Sequence, residues 1–263
     1  MQYMVSVNTN KGTKKDVNQD AALILEAEAG SRHILLASIC DGMGGLTRGE
    51  VASGCMIRRT REWFQTKFPP VLFSGPVLDG NALKQSLNAL VSDVNEELSR
   101  LAEKTGEGLC GTTCVLLITD GTRYVVMNVG DSRAYRIRGN IVRLTKDQTV
   151  VRQEIDAGRL TEEEAERDPR RNILLQCIGA SRNVVPDYTD GSIRQGDLYM
   201  LCSDGFRHKL SEDELRDLLD PERLVSEEEM SAAGEQCIRM NMDRRERDNI
   251  TVVMIRPVAE ETE

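Results

Sequence analysis

Residues 34–40, Ile-Leu-Leu-Ala-Ser-Ile-Cys, contain no turn former, and the run ends at Asp41 before Gly42, Gly44 and Gly45. An unbroken apolar run of this length predicts a strand buried on both faces that stops at a carboxylate. By itself the pattern also fits a strand closed by an ordinary Asp-Gly turn. Residues 3–7 alternate weakly, which predicts an edge strand ahead of a turn at Asn10-Lys-Gly12. The polar cluster Lys14, Lys15, Asp16, Asn18, Gln19 and Asp20 then precedes a second apolar run, 21–25. A strand there, lying beside 34–40, brings Asp20 and Lys15 to the end that carries Asp41; the alternative is a solvated loop.

Downstream the period changes. Ala52, Met56 and Trp63 predict an amphipathic helix over 47–67, stopped by Pro69 and Pro70 and followed by a loop through Gly75 and Pro76. Leu83, Leu87, Leu90, Val94, Leu98 and Leu101 keep the helical period, and the two helices are expected to pack as one layer. The β-branched run 112–119, the Asp120-Gly121 turn and the run 123–129 predict a hairpin. Runs 134–137 and 141–144, joined at Arg138-Gly-Asn140, extend it as an antiparallel meander interrupted at Gly130-Asp131. Residues 146–185 are charged, with a capping box at Thr161 and Glu164 and an irregular turn at Asp168-Pro169, and read as an excursion from the sheet. A strand at 198–202 ends in Ser203-Asp204-Gly205. Capping boxes at Ser211/Glu214 and Ser226/Glu229 open two helices, the second with Met230, Ala233, Cys237 and Met240 on one face. Arg247-Asp248-Asn249 leads into a last strand, 250–255, and an acidic tail, 257–263. No Pro/Gly/Ser-rich linker interrupts the 263 residues, so a single domain over 1–263 is expected.

Composition narrows the function. With 34 basic and 43 acidic residues the net charge is −9, which opposes binding to nucleic acid or to an anionic membrane. Seven cysteines scattered without a C-x-x-C pair fit reduced thiols in a cytoplasmic protein. No apolar run reaches a membrane span, and the first twelve residues lack a signal peptide's pattern, so no membrane insertion is expected.

The recurring chemical feature is an acid at the end of an apolar strand: Asp41, Asp131, Asp204 and, just before a strand, Asp248. If those strands share sheets, the carboxylates converge. A convergent set of acids, with His33 and His208 the only histidines, points to an oxygen-ligand site for Mg²⁺ or Mn²⁺ and excludes a zinc site. Two such ions could hold and activate a water for in-line attack on phosphorus, with Lys15 or a neighbouring arginine holding the phosphoryl oxygens.

Six strings together resemble the ordered motifs of the type 2C, metal-dependent serine/threonine protein phosphatases in their bacterial form. They are Lys15-x-x-Asn-Gln-Asp20-Ala, Cys40-Asp-Gly-Met-Gly-Gly45 with Gly49-Glu-x-Ala-Ser53, Gly111-Thr-Thr113, Val129-Gly-Asp-Ser-Arg133, Leu201-Cys-Ser-Asp-Gly205 and Asp248-Asn-Ile-Thr-Val252. The resemblance implies an α+β fold, a four-layer αββα sandwich of two antiparallel sheets flanked by helix pairs, with a flap over about 148–185 bordering the substrate cleft. It implies hydrolysis of phosphoserine and phosphothreonine monoesters by a water or hydroxide bridging two Mn²⁺ or Mg²⁺ ions. Asp41 would bridge both ions, the Gly42 carbonyl would complete one shell, Asp204 and Asp248 would bind the other ion, and Asp20 would ligate or orient metal-bound water. Asp131 with Asp204 matches the family's weaker third metal site, and Lys15 stands where the family commonly has the phosphate-binding Arg. The implied partners are phosphorylated proteins, with a serine/threonine kinase sharing those substrates, and a monomer is expected.

The chain departs from the pattern at three places. Lys15 cannot form a bidentate guanidinium fork. Met43 and Leu46 stand where many members carry a His near the glycines, leaving protonation of the leaving group to metal-bound water or to His208, which otherwise reads as a surface histidine. Asp168 occupies a flap position where relatives often have His. His33, within an apolar strand, reads as structural. Two other classes fit the acids: a binding or sensor module that keeps the fold with little or no catalysis, and a two-metal phosphodiesterase or nuclease, which the net charge opposes.

Overall fold

A computed structural model describes residues 1–30, 32–43, 48–73, 78, 80–106 and 108–259. Gly44, Gly45, Leu46, the loop residues Gly75 and Pro76, and the last four residues of the acidic tail lie outside the described residues.

Two five-stranded sheets, antiparallel throughout, form the centre. The first runs β1 (Gln2–Asn10), β10 (Ile250–Val258), β9 (Leu198–Cys202), β6 (Arg133–Arg138), β7 (Asn140–Arg143). The second runs β2 (Asp20–Ala29), β3 (Arg32–Asp41), β4 (Cys114–Thr119), β5 (Arg123–Val129), β8 (Asp187–Ser192). The unbroken apolar run of β3 follows from this layering. Leu35, Ala37 and Ile39 face Tyr199, Leu201 and Val253 of the opposite sheet, while Ile34, Leu36 and Cys40 face the helices. On that outer side lie α1 (Gly49–Thr66) and α3 (Gly80–Thr105), pinned together by Trp63 Nε1 donating to Ser86 Oγ at 2.8 Å. Outside the first sheet, α7 (Glu212–Leu218) and α8 (Glu227–Asp243) bury Leu215, Met230 and Cys237 against Met200 and Val252. The result is the expected αββα sandwich.

Three expectations change. Pro69 and Pro70 do end α1, but they then sit in the first turn of a further helix, α2 (Phe68–Phe73), where a missing N–H costs little. The meander is divided, because β4–β5 belong to one sheet and β6–β7 to the other, so the chain crosses the sandwich at Gly130-Asp131. And no strand was expected between 185 and 198, where 187–192 forms the edge strand β8, paired with β5 from Asn128↔Asp187 to Arg123↔Ser192.

The three capping boxes form as expected, opening α5 (Glu162–Arg167), α7 and α8. Asp120 closes its hairpin by accepting from the N–H groups of Thr122 and Arg123 at 2.9 and 2.8 Å, with Gly121 at φ +85°. All seven cysteines are buried free thiols. No helix among the described residues is long and apolar enough to cross a membrane.

Candidate metal centre

The strand ends that carry acids meet at one end of the sandwich. Asp20 opens β2 and Asp41 closes β3, and the two are direct cross-strand partners. From the other sheet, Ser203 and Asp204 follow the end of β9, and Asp248 lies two residues before β10. Ser203 joins the sheets: its hydroxyl donates to Asp20 Oδ2 at 2.9 Å while accepting from the Thr251 N–H at 3.0 Å. Asp131 sits in the crossover between β5 and β6, buried beside this group.

The backbone around Asp41 is held from three sides. Its N–H donates to Thr113 Oγ1 at 3.1 Å, and its carbonyl accepts from the Thr113 N–H and from Thr112 Oγ1, both at 2.9 Å. Thr113 is fixed in turn by Ser132 Oγ at 2.8 Å. Gly42 follows in a tight cradle, where an added Cβ would stand 2.4 Å from the Gly49 carbonyl oxygen. Glycine is therefore required at 42 by close backbone approach.

Burial raises the pKa of Asp20, Asp41, Asp131 and Asp204, because the charged form loses its hydration. Asp20 is pushed up to about 7, with Asp204 and Asp248 adding repulsion against its hydrogen bonds from Thr251 and Ser203. Asp131 and Asp204 are pushed up to about 6, also chiefly by burial, and Arg207 opposes both shifts. Asp41 is raised well above the usual carboxylate range by burial and then by Asp20, Asp204, Asp131 and Asp248. Asp20 Oδ1 and Asp204 Oδ1 are buried oxygens without a hydrogen-bond partner.

Mutually repelling, unsatisfied carboxylate oxygens are the donor set that hard divalent cations neutralise, so Asp20, Asp41, Asp204 and Asp248 fit Mn²⁺ or Mg²⁺. Among the described residues no three acidic, His or Cys side chains are already closed around a single ion position. The fit therefore rests on the shared pocket and the unpaired oxygens. Asp248 is instead held by a cation from the chain, Lys15 Nζ at 2.9 Å from Oδ1.

His208 is exposed at the surface, as expected, but its ring turns inward toward two acids. Its Nε2 lies 3.5 Å from Asp204 Oδ2 and its Nδ1 3.7 Å from Glu246 Oε2. Burial, with Arg207 adding to it, pushes its pKa down to about 4, so the ring is neutral at pH 7. His33 behaves as expected: Nε2 pairs with Glu26 at 2.7 Å and the ring packs edge-on to Tyr3. Asp168 is satisfied within its own turn, accepting from the Arg170 N–H and guanidinium.

Sequence reasoning assigned no role to Ser203, Thr113 or Asn249, although all three lie inside the quoted motifs. Asn249 Nδ2 donates to the carbonyls of Lys11 and Val17, and Oδ1 accepts from the Gln19 N–H at 2.9 Å. It thereby shapes the loop that presents Lys15 and Asp20. Gln148 was also missed. It accepts from the Gly130 N–H and from Gln176, and so ties the 148–185 segment to the Asp131 crossover.

The chain is thus an αββα sandwich that gathers acids at one end as a donor set for hard divalent cations, the class of a metal-dependent protein. The Protein phosphatase 2C family model matches residues 9–247. The chain is 30% identical over 251 residues to the serine/threonine phosphatase stp of Listeria monocytogenes, covering 94% of this chain and 93% of that protein. It is 30% identical over 261 residues to the protein phosphatase PhpP of Streptococcus pneumoniae, covering 98% and 99%. Among solved structures, serine/threonine phosphatase Stp1 from Staphylococcus aureus superposes with a TM-score of 0.82 at 29% identity, covering 98% of this chain and 96% of that one. The catalytic domain of serine threonine protein phosphatase PstP, in complex with 2 manganese ions, superposes at 0.76 and 28% identity, covering 98% and 99%. The chain belongs to the protein phosphatase 2C family, the metal-dependent serine/threonine phosphatases.

Proposed function

We propose that the whole chain acts as one phosphatase domain that hydrolyses phosphoserine and phosphothreonine monoesters on proteins, using the acids at the end of the sandwich. The observation that carries this reading is the gathering of Asp20, Asp41 and Asp204 from two sheets, with buried oxygens lacking partners. Asp41, Asp204 and Asp248, with the Gly42 carbonyl, would hold two divalent ions, and Asp20 would act as a further ligand or orient solvent beside them. When bound, the ions supply an activated solvent nucleophile and positive charge for the phosphoryl oxygens.

The chain's own residues supply the rest. Ser203 fixes the Asp20 carboxylate, and Thr112 and Thr113 fix the Asp41 backbone that carries its carboxylate, so that little reorganisation accompanies the reaction. Lys15, at the mouth beside the half-exposed Asp248, is the side-chain cation placed to meet a phosphoryl group. A neutral His208 cannot donate as an imidazolium at pH 7, so protonation of the leaving alkoxide is assigned to solvent rather than to this ring. Residues 148–185 form the flap, anchored through Gln148. Buried free thiols suit a reducing cytoplasm, and a serine/threonine kinase would supply the phosphoproteins.

The test is release of phosphate from phosphoserine and phosphothreonine peptides by the purified chain with millimolar Mn²⁺. Turnover that vanishes with EDTA and with Asp41→Asn supports the reading. No turnover on any phosphopeptide, or undiminished turnover in Asp41→Asn, sinks it.

A further inference from the structure

Asp131 and Asp204 are the residues that would hold a third ion, but Asp131 already faces a cation fixed in the chain. The short helix α6 (Asp204–Arg207) carries Arg207 one turn beyond Asp204 and turns it toward the β5–β6 crossover. Its Nη2 donates to the Asp131 carbonyl oxygen at 3.3 Å and stands 3.9 Å from Asp131 Oδ2. The pair is largely enclosed, with 15% of the Arg207 side chain and 10% of the Asp131 side chain exposed.

Arg207 also lies near Asp204 and Asp147, but its guanidinium contacts are to Asp131. Asp147 is held by Arg133, whose Nε donates to Oδ1 at 2.8 Å and whose Nη2 takes Oδ2. The Arg207 Nε is buried without a hydrogen-bond partner, so its placement is not explained by a fully satisfied structural network. What the guanidinium does meet is the Asp131 crossover. A guanidinium stays protonated at any working pH, and a divalent ion beside it would meet like charge in a poorly solvated place.

We infer that Arg207 occupies the position of the third ion at Asp131, so that this chain works with two divalent ions and one fixed guanidinium. The inference rests on the two-ion reading given above. Arg207 is a positioning residue here: it neutralises Asp131 and holds the crossover against the end of β9, without touching the reacting atoms.

Metal stoichiometry tests this directly. Mn²⁺ bound per chain is measured by titration calorimetry and by equilibrium dialysis with elemental analysis, up to millimolar Mn²⁺. The wild type is expected to bind two ions, Arg207→Lys two, and Arg207→Ala a third with weaker affinity. Three ions in the wild type overturn the inference. So do two ions in an Arg207→Ala protein that circular dichroism shows to be folded. If Arg207→Ala does not fold, Asp131→Asn in the wild-type background decides: an unchanged titration curve supports the inference, and loss of a binding step contradicts it. Fewer than two ions in the wild type would sink the two-ion reading itself, so the two failures are distinguishable.

Discussion

Asp41 is the residue on which the site turns, because its partly buried carboxylate loses hydration and the four charges acting on it most strongly after that are all acids. Ser203 is its counterpart from the other sheet, acting at one remove through Asp20. Outer partners that orient metal ligands typically matter by roughly 10–100-fold in affinity or activity. Ser203→Ala is therefore expected to weaken Mn²⁺ binding by about that factor, with kcat recovering at saturating Mn²⁺, as calorimetry and steady-state kinetics would show. Unaltered Mn²⁺ affinity would remove Ser203 from the account. Gly42→Ala places a Cβ against the Gly49 backbone, where no flexible side chain can give way, so Asp41 and the start of α1 must move apart. The expected result is loss of Mn²⁺-dependent activity together with a lowered melting temperature; a wild-type melt would show that the cradle is looser than described. Asp41, Asp204 and Asp248 were legible in the sequence because each sits at a strand boundary, where an acid after apolar residues stands out. Arg207, Glu246 and Gln148 were not, since their roles depend on residues from distant segments that meet only in the fold.

At the scale of elements, periodicity located most of the helices and strands but could not assign strands to sheets. A single unbroken pattern of short strands covers 112–144, and only the structure shows that the chain changes sheets at Gly130-Asp131. The strand β8, Asp-Tyr-Thr-Asp-Gly-Ser, was missed because an edge strand with one open side needs little apolar character. The helix caps were legible, since a capping box is a local pattern whose partners are three residues apart. Ser226→Ala tests one far from the carboxylates. Loss of the cap on α8 should cost about 1 kcal/mol, seen as a lower melting temperature, with Mn²⁺-dependent turnover per folded molecule unchanged. A drop in turnover would mean that α8 supports the catalytic end more directly than its packing indicates.

At the scale of the whole molecule, the buried acids set how stability responds to pH and metal. Asp20 at about 7, and Asp131 and Asp204 at about 6, lie above their unfolded values near 4, so between those limits the folded chain binds more protons than the unfolded chain. The contribution of these acids to stability therefore falls as pH rises from about 4 to about 7. Divalent ions, which bind the ionised form, should reverse that trend and become more tightly bound over the same window. EDTA-treated protein is expected to melt at a lower temperature at pH 7.5 than at pH 5.5, and Mn²⁺ to raise the melt far more at pH 7.5. A metal-free protein more stable at pH 7.5 would contradict the assignment. His208, held down to about 4, acts with the opposite sign inside this window but as one group against three, and Glu214, held down to about 2 by Arg244, does so only at lower pH.

The central claim is that acids from two sheets share a pair of divalent ions at one end of the sandwich. Anomalous diffraction at the manganese edge from Mn²⁺-soaked crystals tests it most directly. Two peaks are expected, both in contact with Asp41, one of them also with Asp204 and Asp248, and none at Asp131. No peaks at this end, or peaks bound only to acids elsewhere on the surface, would contradict the account.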